Sequence, residues 1–310
     1  MRISMGTVSV VDRSAGCFGR IWCVYELSYS VSREDKKEFM YDIVTAKEWE
    51  GYGNTHGAVA ITDGLSAQQE NAEYKLMQEE AFPLELIDKG IAFKCKDGKA
   101  SFEADKVRIL KAIGDGSETL DAKVHGVVAC AALRRALEEG GTRRETFLEA
   151  VRNGKVRKLQ LSLAGSAADT AETWREVVGA LDATAMEELC IGTQLEEFPV
   201  SSFGRLTGLA SIDISYCGFT SLPDRLFSGL TSLTSIKMRS CYDLTSLPEG
   251  LFSGLTSLTS IDMSLCTGLT SLPEGLFSGL TSLTSINMSN CEGLTSLPEG
   301  LFSGLTSLTS

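Results

Sequence analysis

"LPEGLFSGLTSLTSIDMSLCTGLTS", Leu247–Ser271, is followed by a near copy of itself. Residues 272–296 repeat it with three replacements: Asp262 becomes Asn287, Leu265 becomes Asn290, and Thr267 becomes Glu292. The preceding unit, 222–246, differs at seven positions, and a further unit opens at Leu297 and reaches Ser310. A fixed period of 25 residues means that one unit is one turn of a stacked array, able to bury its apolar side only against the turns beside it. Within a unit, Leu258, Ile261, Met263, Cys266, Leu269, Leu272 and Pro273 recur at constant spacing. Ile261 and Met263 are two apart, so on a short strand both point inward, because successive side chains alternate faces. Cys266 occupies a site that suits a small side chain under the turn, and "GLFSGL" supplies packing on the opposite, convex side.

Degenerate units extend the array toward the N-terminus. Leu209, Ile212, Ile214 and Cys217 form one, and Met186, Leu189, Ile191 and Gln194 another. Val156, Leu159 and Leu161 read as a first strand, with "AADTAETWREVVGALDAT" as a helical return. This is the leucine-rich-repeat pattern, expected over 155–310 with an open, uncapped C-terminal end. "LTSLPEGL" and the cysteine of "MSLC" resemble the repeats of plant intracellular immune receptors and of algal leucine-rich-repeat proteins. That resemblance implies protein binding. Repeat-to-repeat differences fall on the strand or the loop after it, whereas "LFSGLTSLTS" is invariant. The expected partner surface is therefore the concave side, lined by Asp213, Ser215, Lys237, Arg239, Asp262, Ser264, Asn287 and Ser289. An open end would expose Leu297, Leu301, Phe302 and Leu305, with fraying of 297–310 and self-association through that repeat as the expectation.

The 310 residues carry a net charge of -12, which disfavours nucleic acid and anionic membranes, since binding phosphate needs clustered cations. No window approaches the roughly 18 apolar residues of a membrane span, and "MRISMGTVSVVDRSAG" lacks the apolar core of a signal peptide. Nine cysteines, without paired C-x-x-C spacing, read as reduced thiols in an intracellular, cytoplasmic protein and not as a metal site. His56 and His125 lack partners at ligand or triad spacing along the chain. No metal or other cofactor is implied.

Residues 1–150 read differently. "TVSVV", "EFMYDIV" and "GAVAITDG" are strand candidates, and "SAQQENAEYKLMQEEAF", "SFEADKVRILKAI" and "DAKVHGVVACAALRRALEE" are helical. Alternating strands and helices predict an α/β fold with a small parallel sheet, a module over 1–115 joined by a helical linker, 116–154, to the solenoid. After the first strand comes "RIWCVYEL". Trp22, Cys23, Glu26 and Leu27 match the W-C-x-x-E-L helix of plant-type TIR (Toll/interleukin-1-receptor-like) domains. That resemblance implies a flavodoxin-like sheet, incomplete here because seven residues precede "VSVV". In NAD-cleaving members this glutamate is catalytic, so the resemblance makes Glu26 the catalytic candidate, with Asp12 and Asp63 at neighbouring strand ends. A carboxylate suits that reaction, because cleaving an N-glycosidic bond builds oxocarbenium character.

Two functions follow. The first is an intracellular signalling protein that binds a protein partner through the concave face of its repeats, without a cofactor. The alternative is a TIR-like NAD+ glycohydrolase centred on Glu26, if the gene is longer at its N-terminus.

Overall fold

A computed structural model describes residues 6–10, 40–48, 56–62, 82–113, 116–163, 167–193 and 203–309. The chain divides into two compact units, Met1–Lys155 and Val156–Ser310.

The first unit contains three strands, β1 (Gly6–Val10), β2 (Met40–Glu48) and β3 (His56–Thr62), in the order β1-β2-β3. β1 runs parallel to β2, but β2 and β3 are antiparallel, with Asp42 opposite Thr62 and Glu48 opposite His56. The expected parallel sheet is therefore corrected to a mixed one. Residues 49–55 cannot span a parallel crossover, which takes about a dozen residues or more.

Helices follow: α1 (Leu84–Ala92), α2 (Glu103–Ile113), α3 (Ser117–Ala131), α4 (Leu133–Glu139) and α5 (Gly141–Gly154). The stretch expected to act as a linker is itself packed core. Val124, Val128, Leu133, Phe147 and Val151 are buried, and α3 packs on both α1 and α5. Gly126 and Gly154 permit that approach, since a Cβ on Gly154 would lie 2.7 Å from Gly126 Cα. Arg143 clamps the bundle by pairing with Asp88 at 2.8 Å and with Glu139.

The second unit is a six-stranded parallel sheet: β4 (Lys158–Leu163), β5 (Glu188–Thr193), β6 (Ser211–Asp213), β7 (Ser235–Lys237), β8 (Ser260–Asp262) and β9 (Ser285–Asn287). A helix, α6 (Ala167–Ala180), returns the chain between β4 and β5, whereas irregular turns do so thereafter. The strands follow the repeat pattern: Ile212, Ile236 and Ile261 are buried between half-exposed neighbours.

Two columns run through the turns, buried apart from the terminal Phe302, which is 39% exposed. Phe227, Phe252, Phe277 and Phe302 stack with centroids 6.0–6.3 Å apart and nearly parallel rings. Cys217, Cys241, Cys266 and Cys291 form the other. Gly254 follows the stacked ring at φ +84°, a conformation glycine adopts without the steric cost a side chain incurs. Gly268 is fixed by proximity, because a Cβ there would lie 2.3 Å from Tyr242 O. Its counterpart in the preceding turn is Asp243, where the turn beneath is one residue shorter: Ser211 pairs with Ser235, against Ser235 with Ser260.

The residue before each column cysteine is left-handed: Tyr216, Ser240, Leu265 and Asn290 have φ 55–61°. Asparagine tolerates this conformation and leucine does not. Leu265→Asn, which copies the next turn, is expected to raise the unfolding free energy by up to about 1 kcal/mol. Phe252→Ala should lower it by about 3–5 kcal/mol. Thermal unfolding of both variants beside the parent checks the pair of signs.

Candidate functional site

Register places the solvent-facing side chains of the repeat sheet in two rows. One runs Lys158, Glu188, Ser211, Ser235, Ser260, Ser285; the other runs Gln160, Cys190, Asp213, Lys237, Asp262, Asn287. The second row contains four of the expected partner-facing residues. The serine row is missing from the sequence-based set, although its signal was there: each serine lies two residues before a named residue, on the same face of a strand.

The third expected row, two residues further along, behaves differently. Ser215 and Ser264 are buried, so they support the surface instead of lining it. Asp213 Oδ1 accepts the Ser215 backbone N–H at 2.9 Å. Asp262 Oδ1 accepts the Ser264 N–H at 3.0 Å and its hydroxyl at 2.7 Å. Asn287 Oδ1 repeats both bonds with Ser289 at 3.1 and 2.8 Å, although Ser289 is exposed. An Asx turn of this kind satisfies the backbone locally as the strand ends. Ser215 Oγ also accepts the Arg239 backbone N–H at 3.0 Å.

Lys237 and Arg239 stand where the other turns carry Asx and serine. Arg239 is drawn inward: Nε donates to Ser264 Oγ at 3.2 Å and lies 3.6 Å from Asp262 Oδ2. A half-exposed pair of this geometry is worth about 0–1 kcal/mol. The Lys237 side chain has no hydrogen-bond or ion-pair partner among the described residues, although its backbone carbonyl accepts the Ile214 N–H at 2.8 Å. It is the cation of this face that the fold leaves available.

Beyond the strands the chain crosses an edge of loops, held turn on turn by backbone bonds. Tyr216 N–H donates to Arg239 O at 2.8 Å, Ser240 N–H to Ser264 O at 2.9 Å and Leu265 N–H to Ser289 O at 2.9 Å. Tyr216 and Tyr242 are 61% and 54% exposed on this edge, and Asp243, Thr267 and Glu292 are exposed as well. At the last turn Leu297 and Phe302 are exposed as expected, but Leu301 is buried. Leu305, also expected to be exposed, is half-buried.

Several candidates carry no chemistry. His125 Nε2 is 2.6 Å from Phe93 O, and Asp121, one helical turn earlier, accepts the Cys95 backbone N–H at 2.8 Å. The fold thus gathers Cys95, Asp121 and His125, which lie too far apart in sequence for spacing to reveal. Yet Cys95 is wholly buried, and burial, then Asp121, pushes its thiol well above the ordinary range. A buried protonated thiol is not a nucleophile. A shallow groove of about 440 Å³ lies on the P-E-G turns beside Asp224 and Glu249. No group of three metal-ligating side chains forms among the described residues. Trp22, Cys23, Glu26 and Leu27, with Asp12 and Asp63, lie outside the described residues, as does the first half of the helix-and-loop arrangement expected around them.

With this geometry in view, residues 179–309 match, in six copies, the family model described as "BspA type Leucine rich repeat region". The second unit is a leucine-rich-repeat domain. No curated protein matches the chain. Among solved structures, the chain is similar to a chain of the TLR13–ssRNA13 complex, at 21% identity and a TM-score of 0.39 over 58% of this chain and 32% of that one. It is also similar to a chain of the Drosophila Toll–Spatzle complex, at 22% identity and a TM-score of 0.38, over 53% and 27%. The chain spans about a third or less of either protein. No helix among the described residues is long and apolar enough to cross a membrane.

The thiol column gives the domain a defined pH response. Cys241, Cys266 and Cys291 donate to Ile214 O, Met238 O and Met263 O of the preceding turns at 3.4, 3.0 and 3.1 Å. Hydrogen bonding with Cys241, opposed by Cys291 and reinforced by burial, pushes the Cys266 thiol up to about 11. Hydrogen bonding with Cys266 and burial raise Cys291 as well. In the unfolded chain the same thiols ionise near 8.5. The folded state holds its protons longer, so this contribution to stability is complete below that value and is lost as pH climbs toward 11. The stability of the parent should be flat from pH 6 to 8 on this account and fall from about 9 upward, and Cys266→Ser should flatten that decline.

Proposed function

We propose that the protein is an intracellular signalling component that binds a partner protein across the solvent face of its repeat sheet. The carrying observation is where near-identical turns differ. Ile236, Ile261 and the stacked phenylalanines are held constant, whereas the outward position changes from Asp213 to Lys237, Asp262 and Asn287. Packing permits such change on a solvent face without requiring it. A lysine whose ammonium bonds to nothing among the described residues therefore adds little to the fold through its side chain, whereas it offers a charge to a partner.

The rows flanking Lys237 fit that use. Neighbouring strands lie about 4.8 Å apart, so four serine hydroxyls and four changing side chains form a regular polar surface fixed by backbone geometry. Its order is in place before binding, which lowers the entropic cost of association. Cys95, Cys241, Cys266 and Cys291 are free thiols, which supports a reducing setting.

Ser235→Arg and Ser260→Arg, which fill the sheet face, should abolish retention of a specific partner from an extract of the source organism. Ser253→Arg and Thr256→Arg on the invariant side should leave it unchanged. Exposed substitutions of this kind usually shift stability by less than about 0.5 kcal/mol, so matching thermal transitions would assign the loss to binding. Equal retention by all four variants would contradict a sheet-face site.

A further inference from the structure

We propose that the partner is basic where it meets the loop edge beside the sheet, and that an extended lysine- or arginine-bearing segment of it lies along that edge. This rests on the reading of the domain as a partner-binding module and names the chemistry of the partner.

Charge makes the first part of the case. Arg239 is the last basic residue of the sequence; beyond it, Asp243, Glu249, Asp262, Glu274, Glu292 and Glu299 meet no lysine, arginine or histidine as far as Ser310. All of these but Asp262 are exposed. A surface of one sign attracts the other and speeds its encounter. Asp243 and Glu292 stand on the loop edge, in line with Tyr242.

The tyrosines make the second part. Tyr216 is left-handed, at φ 59°, which costs an aromatic residue steric energy, and its ring is 61% exposed. It thus meets that cost without the compensation of burial. Tyr242 projects from the adjacent turn, 54% exposed, where the following turns carry Thr267 and Glu292. Two exposed tyrosines on these loops, with Asp243 and Glu292 on the same edge and Arg239 turned to Ser264 and Asp262, suit guanidinium or ammonium groups, which are drawn to the negative face of an aromatic ring.

Spacing makes the third. Backbone bonds stack the loops at the repeat interval, with Tyr216 N on Arg239 O and Ser240 N on Ser264 O. An extended peptide presents side chains to one side every ~6.6–7 Å, a span of one to two turns. It can therefore place successive cations on Tyr216, Tyr242 with Asp243, and Glu292. The positions at which the repeats differ (240, 242 and 243 with their counterparts) are the ones such a segment would touch.

The test uses the full chain and a labelled alternating arginine–serine peptide, with glutamate–serine and glutamine–serine peptides as controls, read by fluorescence anisotropy at low and physiological ionic strength. The arginine peptide alone should bind saturably. Tyr216→Ala with Tyr242→Ala should weaken it at least about fivefold. Asp243→Asn with Glu292→Gln should do the same. Glu249→Gln with Glu274→Gln removes equal charge from the other edge and should change binding less than about twofold. Tyr242→Ala alone, at a residue with ordinary backbone, serves should the double tyrosine variant lose its thermal transition. Equal losses from the two carboxylate pairs, or indifference to the tyrosines, would overturn the proposal, since either means general charge attraction. The two readings separate in the extract assay. Retention lost with Ser260→Arg but kept with both edge variants overturns the edge and spares the sheet face, while retention by every variant overturns both.

Discussion

Each turn of the repeat domain is completed by the turns beside it. A 25-residue unit with a three-residue strand encloses no core of its own, so its phenylalanine, isoleucine and cysteine find partners across the boundary. The cysteine shows this most directly. Its buried thiol finds the nearer acceptor across the boundary: Cys266 Sγ lies 3.0 Å from Met238 O of the preceding turn and 3.9 Å from Ser264 O of its own. Threonine hydroxyls do the same at the surface: Thr259 donates to Thr234 O and Thr284 to Thr259 O, each at 2.9 Å. Because partners recur at one interval, a change of packing in one turn is felt in the next, and "LFSGLTSLTS" stays constant.

That constraint also decides what is free to vary. Outward strand positions and the loop after them touch solvent, and there the nearly identical turns part company. The separation is incomplete. Asp262 faces outward yet bonds inward to Ser264, and Arg239 leans on both. Lys237, Tyr242, Thr267 and Glu292 carry less of this double duty, which is why recognition is assigned to them and to the surfaces they share.

Much of the repeat domain was legible from spacing alone. The positions of Ile212, Ile236 and Ile261, the cysteine column and the stacked phenylalanines follow from a repeat that leaves each side chain one way to face. The depth of Ser215 and Ser264 was not, because alternation predicts which side a residue takes and not whether a local turn folds its hydroxyl under. The aromatic edge escaped for a related reason: Tyr216 looks like an ordinary loop residue until its left-handed backbone and its exposure are both known. In the first unit, strands near 6–10, 40–48 and 56–62 were evident from apolar runs, but their pairing was not. Whether β2 and β3 run parallel or antiparallel depends on the length of the link between them, and the alternation of strand and helix candidates favoured parallel strands. The cluster of Cys95, Asp121 and His125 arises from helix packing that no local pattern encodes.

The central claim is that packing and recognition occupy different residues of the same turn. It is tested most directly by giving turn 222–246 the surface of its neighbour, through Lys237→Asp, Arg239→Ser, Tyr242→Thr and Asp243→Gly together, and measuring thermal unfolding and partner retention on the same sample. Separation predicts an unfolding midpoint within a few degrees of the parent, as expected for surface changes totalling about 1 kcal/mol, with retention lost. A midpoint lowered as far as that of a core-deleting variant, or retention at the parental level, would contradict it.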